Sequence, residues 1–454
     1  MKTIFAALFF FSVFVSGHAR GVLISGPLLG YRAHREAIIW LEARGAETIT
    51  VEFQIKGQPR SLQKKTVSVA PSTPLGTQAI KVVLPLLEMG QQYTYSLLID
   101  DQRQTFPYPL EFQTTQQWEW RSPPPDFSFL FGSCAYLNDP LYDRPGTPYG
   151  RSREIFQVMA RSGADFMIWG GDNIYLREAD FSSESGIWYR YSRDRSTPEL
   201  QRLFAVMNHY ATWDDHDFGS NDSNRSFEFK ATTTAAFKAY WPNATSGEPD
   251  NPGIYHKFFW GDAAFMLLDN RTHRDDTLWD QNLKPEKTQF GARQIDWLKN
   301  SLLQAQQLSH YPFKFIVMGG QFLTRFDDNK ETAAYFQRER EDLLRFLVDH
   351  RIDGVIFLTG DVHFSELARL PLSNQQTVYE LTSSPLTSGT SASVLRSRAS
   401  DPQRVEGTFV NEQNFTQLQI SGSKGHRRLT IRCVDGTGVT RWERQIEEAE
   451  LKAR

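Results

Sequence analysis

Three consecutive prolines, Pro123 to Pro125 in WEWRSPPPDF, divide this chain into two stretches with different hydrophobic rhythms. Neither a central strand nor a helix continues through residues that lack a backbone N–H, so the segment 116–126 reads as a linker. Before it, REAIIWLEARG, TITVEFQIKG, AIKVVLPLL and QQYTYSLLID are short runs rich in β-branched and aromatic residues, separated by Gly, Pro and Ser turns. With no helical stretch among them, residues 20–115 are expected to form an all-β sandwich. After the linker, apolar strands such as FSFLFG, DFMIWGG and GVIFLTG alternate with helical patterns such as EIFQVMARSG, ELQRLFAVMNH, ARQIDWLKNSLLQAQ and REDLLRFLVDHRI. Strand–helix alternation over 127–454 predicts a layered α/β domain, with packed sheets flanked by helices.

The opening residues MKTIFAALFFFSVFVSGHARG carry Lys2, an apolar run from Ile4 to Val15, and small residues at Gly17 and Ala19. This is the pattern of a signal peptide, 1–19, and predicts a secreted or periplasmic protein. The run is shorter than the ~20 residues of a membrane span, which disfavours an anchor. No twin arginine precedes it, and no Cys follows it to accept a lipid. No later stretch is long and apolar enough for a span. A formal net charge of -3 leaves no electrostatic footprint for nucleic acid, and a monomer is expected. The basic GHRRLTIR at 425–432 alternates with Leu429 and Ile431, as a solvated strand face does.

Four of the predicted strands end alike. FLFGSC134, MIWGGD172NIY175, ATWD214D215H216D217 and IFLTGD361VH363 each break into a loop bearing thiol, carboxylate, phenol or imidazole groups. Loops that leave the carboxyl ends of strands in one sheet gather where ligands bind. Each loop alone is weak evidence, since Asp and Gly are ordinary turn residues. The stretch TWDDHDFGSND concentrates like charges that a dry core tolerates only beside a cation; helix capping or solvation are the plainer roles, expected of Asp217 and open for Asp214. The donor set suits a pair of cations, with a carboxylate bridging them, and Asp172 is the candidate bridge. The Tyr175 phenol suits a trivalent iron, whereas the oxygen donors of Asp215 and Asp361 suit calcium or another hard divalent ion. The two cysteines, Cys134 and Cys433, are compatible either with a disulfide or with Cys134 as a thiolate ligand.

Taken in order, GSC, GD-x-x-Y, W-D-D-H-D and GD-x-H, after a strand-rich N-terminal region, resemble the motifs of the alkaline phosphatase D (PhoD-like) family. That family belongs to the calcineurin-like metallophosphoesterases, relatives of the purple acid phosphatases. The resemblance implies a secreted phosphatase acting on phosphate mono- or diesters with Fe3+ and Ca2+ in one site; Zn2+ or Mn2+ are the alternatives. It further implies that Cys134, Asp172, Tyr175 and His363 hold iron and that Asp172, Asp215 and Asp361 hold calcium. His216 would face the leaving group, and Arg177 and Asn221 would be candidates to touch the phosphate. Gln321, in FIVMGGQF, stands where many relatives place a His.

Two rival readings remain at this stage. One is a phosphodiesterase or phospholipase D acting on glycerophosphodiesters or wall polymers. The other is a non-catalytic binding protein whose second domain is a metal-stabilised relic. Neither a GxSxG elbow nor a GxxxxGK[ST] loop occurs, which disfavours serine hydrolase and NTPase chemistry.

Overall fold

The computed structural model describes residues 21–308, 311–326, 330–373, 375–390 and 401–453. The expected signal peptide and the second half of the Ser- and Thr-biased stretch 381–400, read from sequence as a long loop, lie outside them. In the first half of that stretch, Leu381 and Thr382 close a strand instead.

Two sheets face each other at the centre. One runs, in spatial order, through Thr440–Glu447, Arg428–Asp435, Asn414–Ser421, Phe127–Gly132, Phe166–Gly170, Asn208–Thr212, Val22–Arg32, Glu36–Arg44 and Thr77–Pro85. The other runs through His256–Trp260, Ala263–Leu267, Phe313–Val317, Val355–Thr359, Thr377–Thr382 and Glu366–Pro371. Alternate residues of the middle strands fill the space between them. Phe129 stacks on Phe166 with centroids 5.0 Å apart and meets Phe265 and Phe315 edge-on at 5.3 Å. Leu130, one residue out of phase, faces the helices on the far side together with Met167 and Trp169. Burial on both faces is why these strands read as continuous apolar runs rather than alternating ones.

The N-terminal strands form a sandwich whose core includes Ile39, Leu41, Val51, Phe53, Val82 and Leu97. One of its layers is continuous with the central sheet, because Val22–Arg32 lies parallel to Asn208–Thr212, with Leu29 opposite Asn208. The segment between Glu111–Gln113 and Phe127–Gly132 carries no regular element, in keeping with its prolines.

The helices Glu184–Arg195 and Lys230–Tyr240 were not anticipated from sequence. The first buries Arg190, Asp194 and Arg195 among ion pairs and aromatic faces, so it shows no apolar stripe. The stretch following Thr212, expected to be a loop, turns into a one-turn helix, Asp215–Phe218.

Candidate metal centre

Phe127–Gly132, Phe166–Gly170 and Asn208–Thr212 are mutually parallel, as are Ala263–Leu267, Phe313–Val317 and Val355–Thr359. Parallel strands end on the same edge, so their six following loops converge. Backbone bonds tie the loops together: Cys134 N donates to Gly171 O (3.2 Å), Ala135 N to Asp172 O (2.8 Å) and Gly360 N to Gly319 O (2.6 Å). Two glycines permit this closeness. A Cβ on Gly360 would lie 2.4 Å from Ser133 Oγ, and one on Gly319 2.3 Å from Asp214 Cγ.

Cys134, Asp172, Asp361 and His363 all have positive φ (62°, 51°, 71° and 56°), a conformation that side chains with a Cβ adopt only where the surroundings enforce it. Ligand atoms of Cys134, Asp172 and His363 lie within 4.8 Å of one another, and so do those of Asp172, Asp215 and His216. Asp172 belongs to both groups. The Cys134 thiol is 3.6 Å from Asp172 Oδ2, and Tyr175 Oη is 3.3 Å from His363 Nε2. A third group joins Asp215 to Asp222 and Glu331. Asp361 lines the same cavity of about 850 Å³, although its carboxylate enters none of these three groups.

Adjacent carboxylates at 214 and 215 have different surroundings. Asp214 Oδ1 accepts from Asn270 Nδ2 (2.8 Å) and from Arg271 Nε (2.7 Å) and Nη2, and Arg271 also pairs with Glu331. Asp215 accepts from the backbone N–H of His216 (2.9 Å) and Asp222 (2.7 Å) and faces the cavity. Asp217 is a capping residue, as its position suggested, but it is buried rather than solvated. It accepts from Asp214 N at 3.0 Å and from Asn173 N at 3.1 Å, and burial pushes it up to about 7.

Without a cation these groups cannot all carry their functional charges. Burial, then the neighbouring Asp215, Asp214, Asp217 and Asp361, raise Asp172 well above the usual carboxylate range. Burial raises Cys134 and Tyr175 as well, reinforced in each by Asp172. At Asp215 burial also opposes ionisation, but His216, Arg271 and the Asp222 N–H prevail and hold it at about 2. Burial and then His216 lower His363 to about 4, leaving a neutral imidazole. A thiol, a phenol, a carboxylate and a neutral imidazole around one point form a donor set that fits a trivalent iron, and the adjoining oxygen donors fit a harder divalent ion.

The remaining expected residues are placed less directly. Asn221 is exposed on the cavity wall. Arg177 is buried behind Tyr175 and donates to Asp143 Oδ1 (2.9 Å), Leu137 O (3.0 Å) and Tyr175 O, with its guanidinium 3.9 Å from the Tyr136 ring centroid. These bonds steady the Tyr175 loop, and Arg177 also lines the cavity. Gln321 Nε2 donates to Glu366 Oε1 (3.1 Å) and Thr382 Oγ1 (3.0 Å). Cys134 and Cys433 are both free, the latter buried in the inter-sheet core, which removes the disulfide alternative. Sequence reasoning missed Glu331 and Tyr149: Glu331 lies in NKETAAYF, where nothing marks it, and Tyr149 in a Pro- and Asp-rich loop that reads as a plain turn.

Two facing sheets carry a shared-carboxylate cluster at their loop edge, and solved structures have the same fold. PhoD superposes with a TM-score of 0.74 at 18% identity, over 92% of this chain and 91% of that one. Purple acid phosphatase PPD1 from yellow lupin (Lupinus luteus) seeds superposes with a TM-score of 0.62 at 11% identity, over 93% and 74% of the two chains. The PhoD-like phosphatase family model matches residues 129–435, and the chain belongs to that family. A separate family, described only as a domain of unknown function, matches residues 20–117. Alkaline phosphatase D of Bacillus subtilis (strain 168) is 25% identical over 292 residues, 56% of this chain. The match spans 48%, about half, of that relative's length.

Proposed function

We propose that the chain is an exported, metal-dependent phosphatase that hydrolyses phosphate mono- or diesters. The observation that carries this reading is Asp172, buried, common to two ligand groups and too crowded by acids to ionise alone. Membership of the PhoD-like family supports it, as does the name of the Bacillus subtilis relative. Export rests on the pattern of the first nineteen residues; no described helix is long and apolar enough to cross a membrane.

In this reading Cys134, Asp172, Tyr175 and His363 hold Fe3+, and Asp172, Asp215 and Asp361 hold Ca2+, with Zn2+ or Mn2+ as substitutes. When bound, the cations supply Lewis-acid polarisation of the phosphoryl group and an acidified water. The protein's own contribution is to orient and to move protons. Among the described residues His216 Nδ1 is buried without a hydrogen-bond partner, and its ring lies 4.3 Å from that of Tyr175 on the cavity wall. There it holds a proton for the departing oxygen. The Asp214–Arg271–Glu331 ion-pair network fixes the loop carrying Asp215 and His216.

The test is elemental analysis of the purified full-length chain, its visible spectrum, and hydrolysis of p-nitrophenyl phosphate beside bis(p-nitrophenyl) phosphate. Iron, calcium, a tyrosinate–ferric charge-transfer band and turnover of either ester are expected. Protein supplied with both metals that hydrolyses neither ester would overturn the reading in favour of a binding protein.

A further inference from the structure

We propose that Tyr149 is a substrate-contacting residue: it accepts the Nδ1–H of His363 and turns its own hydroxyl proton toward a phosphoryl oxygen. The inference rests on the reading of the cavity as a phosphatase site, and it follows from counting hydrogens. Tyr149 Oη is 2.7 Å from His363 Nδ1, while His363 Nε2 faces Tyr175. For Nε2 to present a lone pair to a cation, the neutral ring must carry its proton on Nδ1. Among the described residues that proton has an acceptor only in Tyr149 Oη. A metal-bound His usually gives this proton to a carboxylate, a carbonyl or water; the first two have no hydrogen to pass forward, and water does not hold its own in a direction fixed by the chain. A phenol does. Once Oη accepts, its single O–H must point elsewhere, and no second protein partner for Oη is found among the described residues.

The ring is 41% exposed and lines the cavity. It shares the cavity wall with the acids Asp143, Asp172, Asp215, Asp222, Glu331 and Asp361, beside the neutral donors Tyr142, Thr147, Ser220 and Asn221. Arg177, which the family resemblance nominated for the phosphate, lines the same cavity, with one N–H of each of its three nitrogens engaged within the protein.

Tyr149 is also held rigidly. Its ring meets Tyr136 edge-on at 5.0 Å, and at Gly389 even a Cβ would come within 3.0 Å of Tyr149 Cε2. The next residue is clasped by Asn138, which donates Nδ2 to Gly150 O (2.8 Å) and accepts Gly150 N (2.9 Å). Arg151 N then donates to Thr387 O at 2.6 Å. A donor on a fixed ring loses little entropy when it meets an anion.

The test compares wild type, Tyr149→Phe and Tyr136→Phe, each full length and loaded to the same metal content by elemental analysis. Inorganic phosphate binding is measured by calorimetry, and KM and kcat with p-nitrophenyl phosphate. Removing one hydrogen bond to a charged oxygen should weaken phosphate binding about 10- to 100-fold in Tyr149→Phe and lower kcat/KM in proportion. Loading that variant should also need about 10-fold more metal, since the support of His363 is gone. Tyr136 gives its hydroxyl to Asp143 (2.8 Å) on the same loop and reports a purely structural loss. Phosphate affinity in Tyr149→Phe within twofold of wild type, or an equal loss in Tyr136→Phe, overturns the proposal. Failure of wild type itself to bind phosphate or metal overturns instead the phosphatase reading beneath it.

Discussion

Two buried carboxylates, Glu42 and Asp172, mark opposite strategies in the central sheet. Glu42 lies on the strand Glu36–Arg44, fully enclosed, and accepts from Thr77 Oγ1 (2.7 Å), Ser192 Oγ (2.9 Å) and Tyr240 Oη (2.9 Å). Its charge is distributed over three hydroxyl donors from three elements, and it joins the sandwich to the helices. Asp172, 1% exposed, meets a thiol at 3.6 Å and a backbone N–H at only 3.4 Å, with other acids around it. A fold able to satisfy one buried carboxylate so fully leaves another short of donors only where something outside the chain completes it. The first carboxylate is structure. The second is the carboxylate that the proposed cations would share.

The sharpest way to break this contrast is Asp172→Asn. Turnover should fall to background and metal content with it, as read by assay and elemental analysis. The metal-free variant should melt no lower than metal-free wild type, because burial and Asp215 already disfavour the charged carboxylate that the substitution replaces. Metal content near wild type would end the claim that Asp172 is shared. Next in size is His216→Ala. A lost general acid lowers kcat by about 10²- to 10⁴-fold, most for alkyl esters and least for p-nitrophenyl phosphate, whose leaving group needs no proton. Metal content should stay constant, and an equal loss on both kinds of ester would remove His216 from the proton path.

Much of the candidate metal edge was legible because its signal is local. Gly132, Gly171 and Gly360 end apolar runs, and the ligand-bearing residues follow within a few positions, so composition and order sufficed to bring Cys134, Asp172 and His363 into one argument. What sequence did not reveal depends on contacts between distant segments. Asp214 and Asp215 are equivalent in a string and separate only when Arg271, 57 residues on, takes the first. Arg177 was read as a candidate anion binder, and its pairing with Asp143, 34 residues back, left no trace in the string. The sandwich was visible as strands, but its continuity with the central sheet rests on a parallel pairing between Leu29 and Asn208, and long-range pairing leaves no periodicity.

Glu380 stands between the two extremes. It accepts from the backbone N–H of Phe322 (2.5 Å) and Leu323 (2.9 Å), gripping the loop that carries Gln321, yet burial still raises it to about 7. Because the folded state holds this proton more tightly than the unfolded chain, the contribution is complete below the unfolded value of about 4.5. It is then lost as pH rises toward 7, by about 3 kcal/mol. Urea unfolding from pH 4.5 to 7 should therefore show a falling component that Glu380→Gln removes. An unchanged slope in the variant would mean that the two N–H donors already offset the burial, placing Glu380 with Glu42.

Glu42→Gln provides the smallest effect and the cleanest control. The amide keeps one acceptor oxygen and puts an NH2 where hydroxyl donors converge, so at least one of Thr77, Ser192 and Tyr240 loses its partner in a dry interior. Unfolding free energy should drop by about 2 kcal/mol, the cost of a buried group left without its hydrogen bond. Metal content and phosphate affinity should not change, because Glu42 touches neither the cation loops nor the cavity wall. If the same variant also lost metal, the continuous sheet from Glu36–Arg44 through Val22–Arg32 to Asn208–Thr212 would be transmitting strain to the Asp215 loop. The N-terminal layer would then act as part of the catalytic scaffold rather than as an attached sandwich, and the separation between the two kinds of carboxylate would be one of degree.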